Sequence, residues 1–218
     1  MSNTDSFIDE VTEEVRRDRL FALMRKYGWI AVLAVILLVG AAAWREYALA
    51  RDRAAAQDFG NAVLAALDTE DSAARIAALD AVEASEPGAR AVLDMLKASE
   101  FAREGDGAKA VEALDAVSGS EDVPEIYREI ASFKAVSRSD SGLSPEERRQ
   151  RLDFLAQPGK PLHLLAVEQL AFLDIASGDK AAALERLRFI VEDAGTTPGL
   201  RQRASQLIVA LGGEPEAG

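Results

Sequence analysis

A chain of 218 residues with a net charge of −12 is long enough for one sizeable domain, and its acidity argues against a nucleic-acid partner. Aromatic residues make up only 6% of it, while Ala and Leu dominate the 49% that is apolar, a mixture that suits close-packed helices and gives a β-sheet little to work with. The absence of cysteine excludes a disulfide framework, a thiolate metal site, a cysteine nucleophile and a lipoprotein anchor.

Residues 1–27 hold five basic and six acidic side chains. Phe7, Ile8, Val11 and Val15 fall on one helical stripe, with Asp5 or Ser6 placed to cap it. Acids come early and bases late, matching the helix dipole, and Glu13 with Arg17 adds an i,i+4 pair. An amphipathic stub that leads into the next segment is expected, with a docking site as the alternative.

Residues 28–44 are seventeen positions without a charge, a length of about 26 Å as a helix against the roughly 30 Å of a bilayer's hydrocarbon core. Arg25, Lys26, Tyr27 and Trp29 stand at one edge, and Trp44 and Arg45 at the other. Three readings compete: a transmembrane anchor, a signal peptide cleaved after Ala41-Ala42-Ala43, and a buried core helix. The preceding region is long and acidic, unlike a short basic n-region, which favours the anchor. Five basic residues (Arg16, Arg17, Arg19, Arg25, Lys26) lie within twelve residues on the N-terminal side, against Arg45, Arg51 and Arg53 beyond the span. This bias predicts a cytoplasmic N-terminus and a translocated acidic domain.

Beyond the span, Pro87, Pro124, Pro161 and Pro198 recur at intervals of 37 residues. Proline is tolerated at a helix start, where its missing N–H would have had no partner, so each one is expected to open an equivalent helix. Six residues on stand Leu93, Ile130, Val167 and Ala204, and nine residues on Leu96, Phe133, Leu170 and Leu207. That spacing places both on one helical face and marks a structural repeat. A second helix follows each turn: Gly105 stops one helix and Asp106 caps the next, and Gly178-Asp179 repeats the arrangement. In the middle unit Gly142 is the stop, Ser144-Pro145-Glu146-Glu147 the restart, and Leu152 and Leu155 the core face. Small Ala98, Ala110, Ala171 and Ala183 let paired helices approach closely.

These residues resemble the tetratricopeptide repeat: a small residue then an aromatic in the first helix (Ala98, Phe101), Gly-Asp at the turn, and Ala in the second helix (Ala110, Ala183). Units 87–117 and 161–193 match best, with Asp174 in place of the aromatic in the latter, and 124–157 matches in outline. The fold class implied is all-α, a transmembrane helix followed by a tetratricopeptide-like α-solenoid of helix pairs. The expected layout is a stub over 1–27, the span over 28–44, a linker helix and divergent first pair (45–67, 72–84) over 45–84, repeats with a capping helix (198–211) over 85–212, and a tail over 213–218. Taken whole, with the approach Phe7-Ile-Asp-Glu-Val-Thr-Glu-Glu-Val-Arg16-Arg17-Asp-Arg19 and the edges Lys26-Tyr27-Gly28 and Ala43-Trp44-Arg45, the chain is similar to the ancillary SecYEG translocon subunit family (YfgM-like). That resemblance implies a single-pass bacterial inner-membrane protein whose periplasmic domain is associated with the Sec translocon and with periplasmic chaperones or unfolded clients.

No catalytic chemistry is legible. His163 is the single histidine, two residues past Pro161, and reads as structural. No G-x-S-x-G, P-loop or H-E-x-x-H pattern occurs, and Gly105-Asp106-Gly107 is a helix-turn signal rather than a phosphate loop. No enzyme, cofactor, metal or small-molecule substrate is expected. Function is expected instead from a protein-binding groove, with Arg90, Asp94, Lys97, Tyr127, Arg128, Lys134 and Glu168 as candidate exposed positions on the first helices. An envelope scaffold for division or cell-wall assembly, or a cleaved secreted repeat protein, are the alternatives.

Overall fold

The computed structural model describes residues 3–214, with side chains described from Met24 onward except Ala31. Every regular element among the described residues is an α-helix. The chain divides into two compact units at Asp58/Phe59.

The first unit is formed by most of α1 (Asn3–Leu67). Because this helix begins at Asn3, Asp5 and Ser6 lie inside it and are not its caps. The side chains of Phe7, Ile8, Val11 and Val15 are outside the described residues. Between Val32 and Val39 the aliphatic side chains are 45–72% exposed, an apolar surface with nothing packed on it. By length and composition this is a helix able to cross a membrane, close to the N-terminus. The apolar segment and the expected linker helix are one uninterrupted helix, which runs through Gly60 to Leu67.

The second unit starts with the end of α1 and α2 (Ser72–Asp80), capped by Asp71, whose side chain accepts from the Ala74 N–H at 2.9 Å. Helix α2 stops at Asp80, short of the expected 84. A residue before proline is pushed out of the α region, so the approach to Pro87 is extended at Glu86. Val63, Ala66, Leu79 and Leu93 close this first corner.

Seven further helices follow: α3 (Pro87–Arg103), α4 (Gly107–Gly119), α5 (Glu125–Val136), α6 (Pro145–Leu155), α7 (His163–Ser177), α8 (Lys180–Glu192) and α9 (Pro198–Ala210). Pro87 and Pro198 open α3 and α9, Pro124 immediately precedes α5, and Pro161 lies two residues before α7. From α2 onward each helix packs against the next in sequence.

The Gly-Asp turns work as read. Gly105 takes φ +83° and Gly178 φ +82°. In each turn the glycine N–H bonds back to Ala102 or Ile175, and the aspartate N–H to Phe101 or Asp174, the two bonds of a Schellman stop. Asp106 and Asp179 then cap the next helix by accepting from the N–H of Lys109 and of Ala182, each at 3.0 Å. The middle restart is a full capping box between Ser144 and Glu147. Ala98, Ala110, Ala171 and Ala183 are all at most 1% exposed, and Leu152, Leu155 and Leu170 are fully buried. Ile130, Leu96, Phe133 and Leu207 are half-buried against the same clusters.

Candidate functional site

The positions expected to line a groove do not converge on one site. Arg90 is exposed and pairs with Asp122 at 3.3 Å. Asp94 and Lys97 are half-buried and pair at 2.7 Å, and Lys97 also reaches Asp80 at 2.9 Å. Of the seven positions expected to be exposed only Arg90 is; Asp94, Lys97, Tyr127, Arg128 and Lys134 are half-buried and Glu168 is buried. Tyr127 is half-buried against the cluster of α3, α4 and α5, and its ring covers Gly88, where an added Cβ would meet it at 3.1 Å. Glu168 is 4% exposed and accepts from Arg203 at 2.8 and 2.9 Å, because α9 lays a guanidinium fork over it. Arg128 is half-buried, and its Nε has no acceptor among the described residues.

Sequence reasoning missed a set of buried carboxylates. Glu100 on α3 accepts from Arg75 Nε at 2.8 Å and from Ser72 Oγ at 3.0 Å. Burial pushes the Glu100 carboxyl up, but these hydrogen bonds and the charges of Arg103 and Arg75 outweigh it and hold it below the usual range. Asp174 on α7 accepts from Arg149 at 2.7 Å and from Arg186 at 2.8 Å. Glu129 on α5 accepts from Lys160 at 2.7 Å. A signal was present: the pairs Arg75–Glu100 and Arg149–Asp174 both span 25 residues and lie 74 apart, twice the proline interval.

Clefts lie between neighbouring helices of the second unit. One of about 520 Å³ is bordered by Val167, Leu170 and Phe189, with Arg186 held by Asp174 at its side. Another, of about 240 Å³, contains Lys160, which sits between Glu125 and Glu129 at 2.7 Å each and over the Phe154 ring at 4.7 Å. Arg186 and Lys160 are thus matched by carboxylates, while Arg128, which also lines the second cleft, has no ion pair among the described residues.

In a third cleft, of about 200 Å³, one cation, Arg138, has a carboxylate partner and the other, Lys134, has none among the described residues. It opens where α3 and α4 meet the end of α5, with Ala98, Leu114 and Phe133 as an apolar floor. Ser99, Lys134, Ser137 and Arg138 complete its lining. Lys134 Nζ donates to Ser99 Oγ at 3.3 Å, and that hydroxyl donates onward to the Met95 carbonyl at 2.9 Å. No carboxylate of the described residues pairs with Lys134; burial pushes its ammonium below the usual lysine range, and the charge of Arg138 adds to this. Arg138 holds Asp140 at 2.6 Å through Nη2, while its Nε and the Ser137 Oγ are buried without a partner. Among the sequence-derived candidates, Lys134 alone lines this cleft.

His163 opens α7 with its ring edge-on to Phe189, centroids 6.3 Å apart. Among the described residues no cluster of three or more metal-ligating side chains occurs. In the first unit Arg25, Lys26, Tyr27 and Trp29 stand at one edge of the apolar run and Trp44 and Arg45 at the other, all exposed. Lys26 Nζ lies 5.5 Å from the Tyr27 ring centroid, and Trp44 stands 6.4 Å from Tyr47. No family model, curated protein or solved structure matches the chain.

Proposed function

We propose that this protein is a membrane-anchored protein-binding module of the bacterial inner membrane, with its N-terminus in the cytoplasm and a periplasmic domain of tetratricopeptide-like helix pairs. The observation that carries the reading is the unburied apolar surface of α1, joined by the same helix to a unit in which each helix packs on its neighbour. An apolar surface of this kind is stable in lipid, and helix pairs stacked in sequence offer clefts for extended partners. On this reading the span stations the clefts near the translocation channel, where effective concentration substitutes for affinity. The resemblance to the ancillary Sec translocon subunits names the partners: the translocon itself and periplasmic chaperones or unfolded clients. No cofactor, catalysis or nucleic acid enters this role.

The test is crosslinking in intact cells, then purification of the full chain from detergent-solubilised membranes and identification of what is attached. Recovery of translocon components or periplasmic folding factors supports the reading. Recovery of cell-division or wall-synthesis proteins alone replaces it with the scaffold reading. An intact mass starting after Ala43 replaces it with a secreted protein.

A further inference from the structure

Among the described residues four carboxylates are buried: Glu100, Glu129, Glu168 and Asp174. Three of them have an arginine at each oxygen. Arg75 and Arg103 lie 2.8 and 3.4 Å from the two oxygens of Glu100, Arg203 takes both oxygens of Glu168, and Arg149 and Arg186 take one each of Asp174. Glu129 is the exception. Its Oε1 accepts from Lys160 Nζ at 2.7 Å, while its buried Oε2 has no hydrogen-bond partner among the described residues. The arginines that hold the other three sit on helices, whereas Lys160 sits in the turn between α6 and α7, directly after Gly159 at φ +88°.

Lys160 is also a wall shared by two clefts, the one of about 240 Å³ beside Phe154 and one of about 480 Å³ bordered by Ile126 and Pro158. Glu125 and Glu129 line both. The ammonium thus fills a place framed for a cation, with a carboxylate on either side at 2.7 Å and an aromatic ring at 4.7 Å. Most of that frame is open to solvent: Phe154 is 54% exposed and the Glu125 side chain 66%. An ammonium is a point charge and serves one oxygen of Glu129. A guanidinium is a planar fork that serves both oxygens of a carboxylate and lies flat on an aromatic face. It is also the more weakly hydrated cation, so it loses less on entering than the ammonium regains on leaving. With Lys160 withdrawn, Glu125, Glu129 and Arg128 of the smaller cleft leave one negative charge, which one guanidinium neutralises.

We propose that the Lys160 ammonium is a displaceable occupant, and that an arginine side chain of an extended polypeptide takes its place between Glu125, Glu129 and Phe154. The incoming fork pairs with both oxygens of Glu129, its far edge meets Glu125, and its plane lies on the Phe154 ring. The turn between α6 and α7 releases Lys160 to water, and the exposed Ile126 and Pro158 receive an apolar neighbour of the arginine. This names the chemistry of a partner segment in the protein-binding reading above and rests on that reading.

The experiment uses the full chain in uncharged detergent, titrated with a fluorescently labelled hexapeptide of alanine and valine whose two ends are uncharged. Its central residue is arginine, lysine or citrulline, which has the shape of arginine without the charge. The arginine peptide binds in the millimolar range or tighter, and the lysine and citrulline peptides bind about tenfold or more weakly, the worth of one charge-assisted hydrogen bond. Glu129→Gln produces the same loss. Should that buried variant fold poorly, Glu125→Gln, at an exposed side chain, keeps the parent's circular dichroism and weakens the arginine peptide severalfold. Lys160→Met removes the competing cation, so it binds the arginine peptide several times more tightly than the parent and gains more Tm from it. Lys109→Met, the same change of charge at an exposed position on α4, binds like the parent. Equal binding of the arginine and lysine peptides, a Lys160→Met protein that binds no more tightly, a Glu125→Gln protein that binds like the parent, or no binding of any peptide overturns the proposal. Competition by free guanidinium ion as strong as by the arginine peptide makes this a small-cation site and overturns it too. If the peptide results fail while the full chain still recovers envelope partners from membranes, the arginine site is wrong and the wider reading stands. An arginine peptide that binds as described to a chain that recovers no partner supports the site and confines the failure to the wider reading.

Discussion

Gly107 opens α4 at a point where a Cβ would lie 2.1 Å from the Asp140 carbonyl oxygen and 2.9 Å from its carbon. Ordinary contact begins near 3.4 Å, so Gly107→Ala requires the Ser137–Ser141 backbone or the start of α4 to move by more than an ångström. The obstacle is main chain, which cannot swing aside as a side-chain tip does. Two effects oppose each other. Replacing glycine restricts the unfolded chain and gains about 0.4–1 kcal/mol, whereas forcing an atom into a filled contact costs about 1–3 kcal/mol. The collision wins, for a net loss of about 1–2 kcal/mol. For a unit of this size that lowers Tm by roughly 2–8 °C in thermal unfolding of the full chain in detergent, followed by far-ultraviolet circular dichroism. Gly119→Ala, at the other end of the same helix, has nothing within 4 Å of its new Cβ and leaves Tm unchanged or slightly higher. If the two variants melt together, the close approach at Asp140 is wrong, and with it the placement of the loop that carries Arg138.

Glu100→Gln removes the charge from a pair whose side chains are only 10% and 5% exposed, leaving Arg75 to the carbonyls of Thr69 and Glu70. It costs about 2 kcal/mol, below the range for a wholly abandoned buried charge because those acceptors remain. Since Glu100 is held below its ordinary range in the fold, its ionised form stabilises fully above the unfolded value, near pH 4.3. The gap in Tm between parent and Glu100→Gln is therefore constant at neutral pH and narrows as pH falls below about 4.3; a gap that widens there refutes the pairing. In the span, eight Ile, Leu and Val residues between Ile30 and Val39 supply about 2–5 kcal/mol toward insertion, and two central arginines cost about 5–7 kcal/mol. Val35→Arg with Leu38→Arg thus moves the protein from the carbonate-resistant to the extractable fraction. The cysteine-free chain also gives a clean test of sidedness: a membrane-impermeant thiol reagent labels Ser85→Cys in intact spheroplasts and reaches Ser6→Cys only after lysis. The reverse pattern refutes the N-in orientation.

The helical framework was legible because its stops are local. Gly105-Asp106 and Gly178-Asp179 carry their own φ > 0 position and their own cap, and the prolines restrict the residue before them, so turns and starts depend on a few neighbours. The apolar pattern of α2 continues past Asp80, whereas the helix itself stops there ahead of the extended approach to Pro87. Charges were the harder part. Reading Glu168 as solvated ignored Arg203, 35 residues away on a helix that covers it, and a single-helix pattern contains no trace of that cover. Tyr127 failed for the reverse reason: Gly88 leaves a gap on α3 that only a ring from α5 fills. Lys134 and Lys97 look alike as polar first-helix positions, and what distinguishes them is that Lys97 has carboxylate partners on two different helices.

Packing of each helix on its successor also has a consequence for biogenesis. Among the described residues the ion pairs between helices reach no further than 36 residues along the chain, as in Arg151 with Asp115. A chain that emerges from its N-terminal end can therefore complete each layer once about one further helix pair has been made, without waiting for the C-terminus. Contacts this local favour rapid, stepwise folding and keep little apolar surface waiting for a distant partner. Helix α9 covers Glu168 with Arg203 and packs Leu200, Ala204 and Ile208 against the layer before it, so the burial of that carboxylate waits for the synthesis of α9.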